Sequence, residues 1–195
     1  GTNQRSDYTE ILMTNRYCVF GLVALAVCFV TACGSVVKPA TTVTQAPFPR
    51  VVGESLNRER VTIPDAYRGK NTLLLIGYTQ KAQFDIDRWI LGILQADVPV
   101  EIVEVPTIAG MMPQMVQGFI NNGMRSGIPQ SDWASVVTVY EDAPKIIELL
   151  GNERPRSAYA VLLDRSGVVV WSSNIGYSAS QIITLKQTVL GLGRQ

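Results

Sequence analysis

Beyond its first fifty residues, the chain sorts its apolar positions into short blocks whose spacing switches between strand and helix periods. Thr72 to Tyr78 (Thr-Leu-Leu-Leu-Ile-Gly-Tyr) is apolar almost without a break over the length of a strand, the pattern of a strand covered on both faces. Val61-Thr62-Ile63 predicts a short strand before it, running into a turn at Pro64-Asp65, and Gly69-Lys70-Asn71 predicts a second turn. Ile86, Trp89, Ile90, Ile93 and Leu94 then fall at i, i+3, i+4, i+7 and i+8, one face of a helix, with Asp85, Asp87 and Arg88 opposite. Val100, Ile102, Val103 and Val105 predict a further strand. Met112, Met115, Val116, Phe119 and Ile120 return to helical spacing, with Gly123 placed to end that helix in a left-handed conformation. Ser135 to Tyr140 reads as a third strand, and Asp142 as the cap of a short helix from Pro144 to Leu150, closed by Gly151. Ala158 to Leu163, the turn Asp164-Arg165-Ser166-Gly167 and Val168 to Ser172 predict a hairpin, and a last helix follows from about Ser180 to Leu190.

Strands and helices in this order predict an α/β domain, a mixed sheet with helices on both faces. The length of 195 residues fits one domain plus an extension. Lys and Arg number 17 against 16 Asp and Glu, so the formal charge of +1 gives no field to attract a polyanion, and nucleic acid is not an expected partner. No His is present, which excludes Ser-His-Asp and Cys-His catalysis and His-ligated metals.

The three Cys are Cys18, Cys28 and Cys33. With no thiol after Cys33, the folded body has no material for a disulfide or a Cys-x-x-Cys pair. From Met13 the chain has a short basic start, an apolar run from Val19 to Val30 and the small-residue junction Thr31-Ala32-Cys33-Gly34. The run is shorter than the roughly 20 residues of a spanning helix, so residues 13–32 read as a secretory signal. Residues 1–12 read as an upstream extension. Val30-Thr31-Ala32-Cys33 resembles the lipobox of bacterial lipoproteins, which implies that Cys33 bears the lipid and anchors the chain to a membrane of the bacterial cell envelope. Gly34 in place of Asp after the Cys implies, in a Gram-negative cell, the periplasmic face of the outer membrane. Plain cleavage or a retained anchor is the alternative. Residues 33–50, rich in Thr, Pro and small residues, read as a flexible tether to a domain over 51–195.

The element order, with Val61-Thr62-Ile63-Pro64 and then Gly69-Lys70-Asn71-Thr72-Leu73-Leu74-Leu75, resembles peroxiredoxin-like and membrane-tethered thioredoxin-like proteins. Those families place a reactive Cys just after the central strand, where this chain has Tyr78-Thr79-Gln80-Lys81-Ala82-Gln83-Phe84. The thiolate attacks disulfides and peroxides, so its loss leads to the expectation that this chain is no enzyme and needs no cofactor. A narrower resemblance runs from Gly69 to the C-terminus. Asp85-x-Asp87-x-Trp89, Asn121-Asn122-Gly123-Met124-Arg125-Ser126-Gly127-Ile128-Pro129 and Val161-Leu162-Leu163-Asp164-Arg165-Ser166-Gly167-x-Val169-x-Trp171 are similar to bacterial relatives of the mitochondrial ATP synthase assembly factor family. That resemblance implies a thioredoxin-like fold and a binding, chaperone-like assembly role with a protein partner.

The candidate partner-binding residues are Arg125, Met124, Trp133, Asp85 and Asp87. Arg125 sits among small residues in Gly123-Met124-Arg125-Ser126-Gly127, read as a loop beyond a helix end. Its guanidinium would there meet a carboxylate, phosphate or lipid headgroup, or else pair with Asp85 or Asp87 and pin the loop. Asp85 and Asp87, two apart on a helix, do not converge as an acid/base pair and suit the positive N-terminus of that helix. Trp89 and Trp171 read as core, and Trp133, among Gln130-Ser131-Asp132, as an exposed contact. Met111, Met112, Met115 and Met124 cluster in sequence, and thioethers favour Cu(I), so a copper-handling protein is the alternative function. Against it, Met112 and Met115 lie on the predicted apolar helix face.

Overall fold

The computed structural model describes residues 43–110 and 113–193. Residues 1–12, residues 13–32 that read as a signal, Cys33, Met111 and Met112 lie outside the described residues. The strands are β1 (Ala46–Pro47), β2 (Val51–Ser55), β3 (Arg60–Ile63), β4 (Thr72–Gly77), β5 (Glu101–Pro106), β6 (Val137–Thr138), β7 (Tyr159–Leu163) and β8 (Val168–Ser173). The helices are α1 (Gln83–Gln95), α2 (Gln114–Gly127), α3 (Ala143–Leu150) and α4 (Ala179–Leu192).

One sheet has the order β1-β8-β7-β4-β5, with β4 parallel to β5 and antiparallel to β7. A second has the order β3-β2-β6, and two parallel bridges, Glu104 to Val136 and Thr107 to Val139, join the segment around β6 to β5. β4 is buried along its whole length because the pleat sends alternate side chains into two cores. Leu74 and Ile76 pack with Val103, Val161 and Ile146 of α3, whereas Leu73 and Leu75 pack with Trp89 of α1 and Leu185 of α4. The expected mixed sheet with a helix layer on each face is thus present.

The structure differs from the sequence reading in several elements. Val51–Ser55 is a strand not foreseen, its inward positions occupied by Val51, Gly53 and Ser55. Ala46 and Pro47, inside the segment assigned to the tether, pair with Val169 and Val168, and Phe48 is buried, so the folded body already includes the end of that segment. The strand expected over Ser135 to Tyr140 is reduced to Val137–Thr138, preceded by a 3-10 turn over Gln130–Ser135. Asp142 does not cap α3 with its side chain. Its carboxylate accepts the Val52 N–H at 2.8 Å and meets Lys145 Nζ at 2.7 Å, stapling α3 to β2. Leu94, placed on the buried face of α1, is 65% exposed.

α2 departs furthest. It runs through Gly123 to Gly127, and its apolar stripe faces solvent, with Met115 86% and Phe119 79% exposed. The inward stripe is polar, Gln117, Asn121 and Arg125 at i, i+4 and i+8. Polar groups of β2 and its following turn, and the Tyr140 hydroxyl, need partners on that side, and the helix supplies them.

Candidate functional site

Arg125 is a helical residue and not a loop residue, and its side chain is only 11% exposed. Its Nε donates to the Leu56 carbonyl at 2.6 Å, Nη1 donates to Asn122 Oδ1 at 2.7 Å, and Nη2 lies 3.7 Å from Glu54 Oε1. The partner is therefore Glu54, not Asp85 or Asp87. The guanidinium also lies 6.0 Å from the centre of the Trp133 ring. Trp133 is half-buried, and its indole N–H donates to the Ile128 carbonyl at 2.9 Å, which corrects its reading as an exposed loop contact. Met124 is half-buried on the same helix.

Next to Arg125, buried Asn121 accepts the Tyr140 hydroxyl at 3.0 Å and donates weakly to Glu54 at 3.4 Å. Burial, with the charge of Glu54 nearby, pushes the Tyr140 hydroxyl up to about 12, so it stays a neutral donor. Glu54 and Tyr140 of this network line a cleft of about 540 Å³ between the β2–β3 hairpin and α2. Glu54, Arg58, Arg60, Gln117, Tyr140 and Glu141 line it. Gly53 belongs to its wall because β6 passes so close that a Cβ there would lie 2.6 Å from Val137 Cγ1 and 2.7 Å from the Thr138 carbonyl. Among the described residues Glu54 and Asp142 are matched by Arg125 and Lys145, while Arg58 and Arg60 have no ion-pair partner. Arg58 is held at φ 68°, a left-handed conformation that β2 and β3 impose on the turn. The cleft escaped the sequence reading because its walls come from three separate segments. The one signal was a pair of arginines, Arg58 and Arg60, around a hairpin turn.

A second polar group surrounds the junction from β4 into α1. Asp85 accepts the backbone N–H of Ala158 at 2.8 Å and of Tyr177 at 3.0 Å, so it ties α1 to the segments flanking β7 and α4. Those bonds hold it within the fold, and the structure does not bring it together with Arg125. Asp87 is exposed and accepts from Gln83 Nε2 at 3.0 Å. The same amide donates to Glu104 at 3.2 Å. Burial raises the Glu104 carboxyl above its usual range, opposed by the Gln83 hydrogen bond and reinforced by Asp87 and Asp132. A carboxyl raised in the folded state favours folding only while protonated, so this contribution is present at low pH and is lost as pH rises through the folded value. Glu104→Gln is therefore expected to raise Tm at pH 7 and to leave it nearly unchanged below about pH 4, where glutamate is ordinarily protonated. Thermal unfolding followed by circular dichroism at both pH values checks this, and an equal shift at both would overturn it.

Of the four clustered methionines, Met115 and Met124 are among the described residues, and these two do not meet. Met115 points to solvent, and Met124 lies nine residues further along α2, about 13 Å at 1.5 Å per residue, too far to share one ion. Met111 and Met112 lie outside the described residues, and among those described no group of three His, Cys, Asp or Glu could hold a metal. No helix among the described residues is long and apolar enough to cross a membrane.

No family model matches the chain, and no curated protein matches it. Solved structures do. A candidate electron transfer protein from Aquifex aeolicus VF5 superposes with a TM-score of 0.53 at 14% identity, over 76% of this chain and 95% of that one. A candidate protein disulfide isomerase from Bacteroides thetaiotaomicron gives 0.52 at 13% identity, over 80% of this chain and 93% of that one. A thiol peroxidase from Chromobacterium violaceum gives 0.50 at 10% identity, over 78% and 88%. The fold is thioredoxin-like. Identities of this size show the fold alone.

The neighbours correct one expectation. A thioredoxin-like scaffold is shared here with a thiol peroxidase, so the reading of this chain as no enzyme does not stand. The segment after β4 lacks a thiol in this domain, with Thr79 Oγ1 donating to the Pro155 carbonyl at 2.7 Å. That one missing group does not decide against catalysis on the rest of the thioredoxin-like surface.

Proposed function

We propose that this chain is a lipid-anchored thioredoxin-like protein of the bacterial cell envelope, held by acylated Cys33, whose domain serves as a binding or assembly module for a protein partner. The observation that carries it is the cleft of about 540 Å³ lined by Arg58 and Arg60, which have no ion-pair partner among the described residues, beside the hydrogen-bonded Tyr140 and Asn121. Among the described residues Glu54 and Asp142 are ion-paired with Arg125 and Lys145, which leaves Arg58, Arg60 and Glu141 as the lining charges that no ion pair takes up. An acidic segment of a client matches that balance. The similarity of the Asp85-x-Asp87-x-Trp89 and Asn121 to Pro129 stretches to assembly factors supports the assembly side of the reading.

The test is co-purification of the full-length protein in mild detergent from its own membranes, beside an Arg58→Glu/Arg60→Glu variant, with mass spectrometry of the partners and of the Cys33 peptide. The expected result is an acylated Cys33 and a membrane partner that disappears in the double variant. Recovery of the same partners by both proteins overturns the cleft as the binding site. An unmodified Cys33 overturns the anchor.

A further inference from the structure

α2 presents its apolar side chains to solvent because its polar stripe is committed inward. Met115 and Phe119, one turn apart, are 86% and 79% exposed, and Val116 beside them is 40% exposed. Large apolar side chains grouped on one helix mark a surface that something covers. α1 also exposes Phe84, Leu91 and Leu94, but interleaved with the charged Asp87 and Arg88, which keep that face hydrated. From Gln114 to Gly127 the only charged residue is Arg125, which points inward, and no acidic side chain repels an anionic surface.

What covers α2 follows from the chain that precedes the domain. Cys33 and Val43 are ten residues apart, and at no more than about 3.6 Å per residue the reach is about 36 Å, comparable to the diameter of a small domain. A domain on so short a lead stays within about one domain diameter of the bilayer, which keeps its local concentration at the surface high, and a helix with an uncharged, apolar outer face is suited to lie in the headgroup layer. We propose that the outward face of α2, led by Met115 and Phe119, docks on the membrane that carries the anchor, leaving the arginine-lined cleft to the partner. This rests on the reading of Cys33 as the anchored residue.

The experiment uses the mature full-length chain in vesicles of phosphatidylethanolamine and phosphatidylglycerol. A lipid-blocked Cys33 leaves no other thiol, so Met115→Cys, Phe119→Cys and, as a control on α4, Ile183→Cys each carry a single fluorophore. Ile183 is 59% exposed. Labels at 115 and 119 are expected to be several-fold less quenched by aqueous iodide than the label at 183, and to be quenched by bromolipids where it is not. Equal iodide access at all three positions overturns the docking. Shielding in detergent without vesicles that grows with protein concentration overturns it in favour of a second copy of the chain. Shielding that requires a co-purified partner overturns it in favour of a protein interface. Mass spectrometry of Cys33 is read separately: a Cys33 without lipid overturns the anchor reading, and the three labels are then read on a Cys33→Ser chain, where bilayer shielding sustains the docking and equal iodide access overturns it.

Discussion

Trp89→Ala is expected to cost the domain about 3–5 kcal/mol, the range for removing a large aromatic from a packed core. Trp89 has no exposed surface and lies edge-on to two rings, with centroids 6.1 Å from Trp171 and 6.0 Å from Tyr177. It thus joins α1 to β8 and to the entry of α4, and its loss opens a hole that three separate elements would have to close. Domains are typically stable by only about 5–15 kcal/mol, so a substantial part of the stability rests on this side chain. The indole N–H has no hydrogen-bond partner among the described residues, which makes the residue less well satisfied than its burial suggests. Trp89→Phe keeps most of the ring contact and removes that unpaired donor, so its expected cost is below about 1.5 kcal/mol. Urea unfolding of the two variants checks both values, and a Trp89→Phe loss as large as that of Trp89→Ala would overturn this account.

Arg125→Ala is expected to destabilise by about 3 kcal/mol, the scale for removing one partner of a buried charged hydrogen-bonded group. The guanidinium reaches the Leu56 carbonyl, Asn122 and Glu54 together, and without it a buried carbonyl and the Glu54 charge both lose their partner. Arg125→Lys is expected to recover only part of this, because an ammonium lacks the planar fork that meets three directions at once. Asn122→Ala, which removes the outermost of the three contacts, is expected to cost less than about 1 kcal/mol. Denaturant midpoints for the three variants give the order, and a near-neutral Arg125→Ala would overturn the structural role. The consequence for function is practical. A partner lost on Arg125→Ala reports an unfolded hairpin as readily as a lost contact, whereas Arg58 and Arg60 make no ion pair among the described residues and test binding directly.

The elements legible in the sequence were those in which the local pattern and the tertiary environment agree. Thr72 to Gly77 is apolar throughout because both faces of β4 are covered, and the β7–β8 hairpin is marked by Asp164, which accepts from the backbone of Ser166 and of Val168 across its own turn. Ser178 likewise marks the start of α4 by accepting the Gln181 N–H. The failures arose where a residue answers a distant demand. Asp142 looks like a helix cap and is instead claimed by Val52, ninety positions away. Val51–Ser55 follows a Pro-rich stretch, and what makes it a strand is the pairing offered by β3 and β6.

α2 separates the two kinds of information most clearly. By itself the sequence determined a helix with an apolar stripe reaching to about Gly123, since 3.6-residue spacing is a local property, whereas its last turn to Gly127 was read as a loop. Which stripe faces inward was decided only by the tertiary structure. The Leu56 carbonyl, the Tyr140 hydroxyl and the Glu54 carboxylate lie under that helix and need hydrogen-bonding partners, and an unpaired buried polar group costs about as much as burying one apolar side chain gains. Periodicity fixes the faces of a helix, but the groups beneath it choose between them.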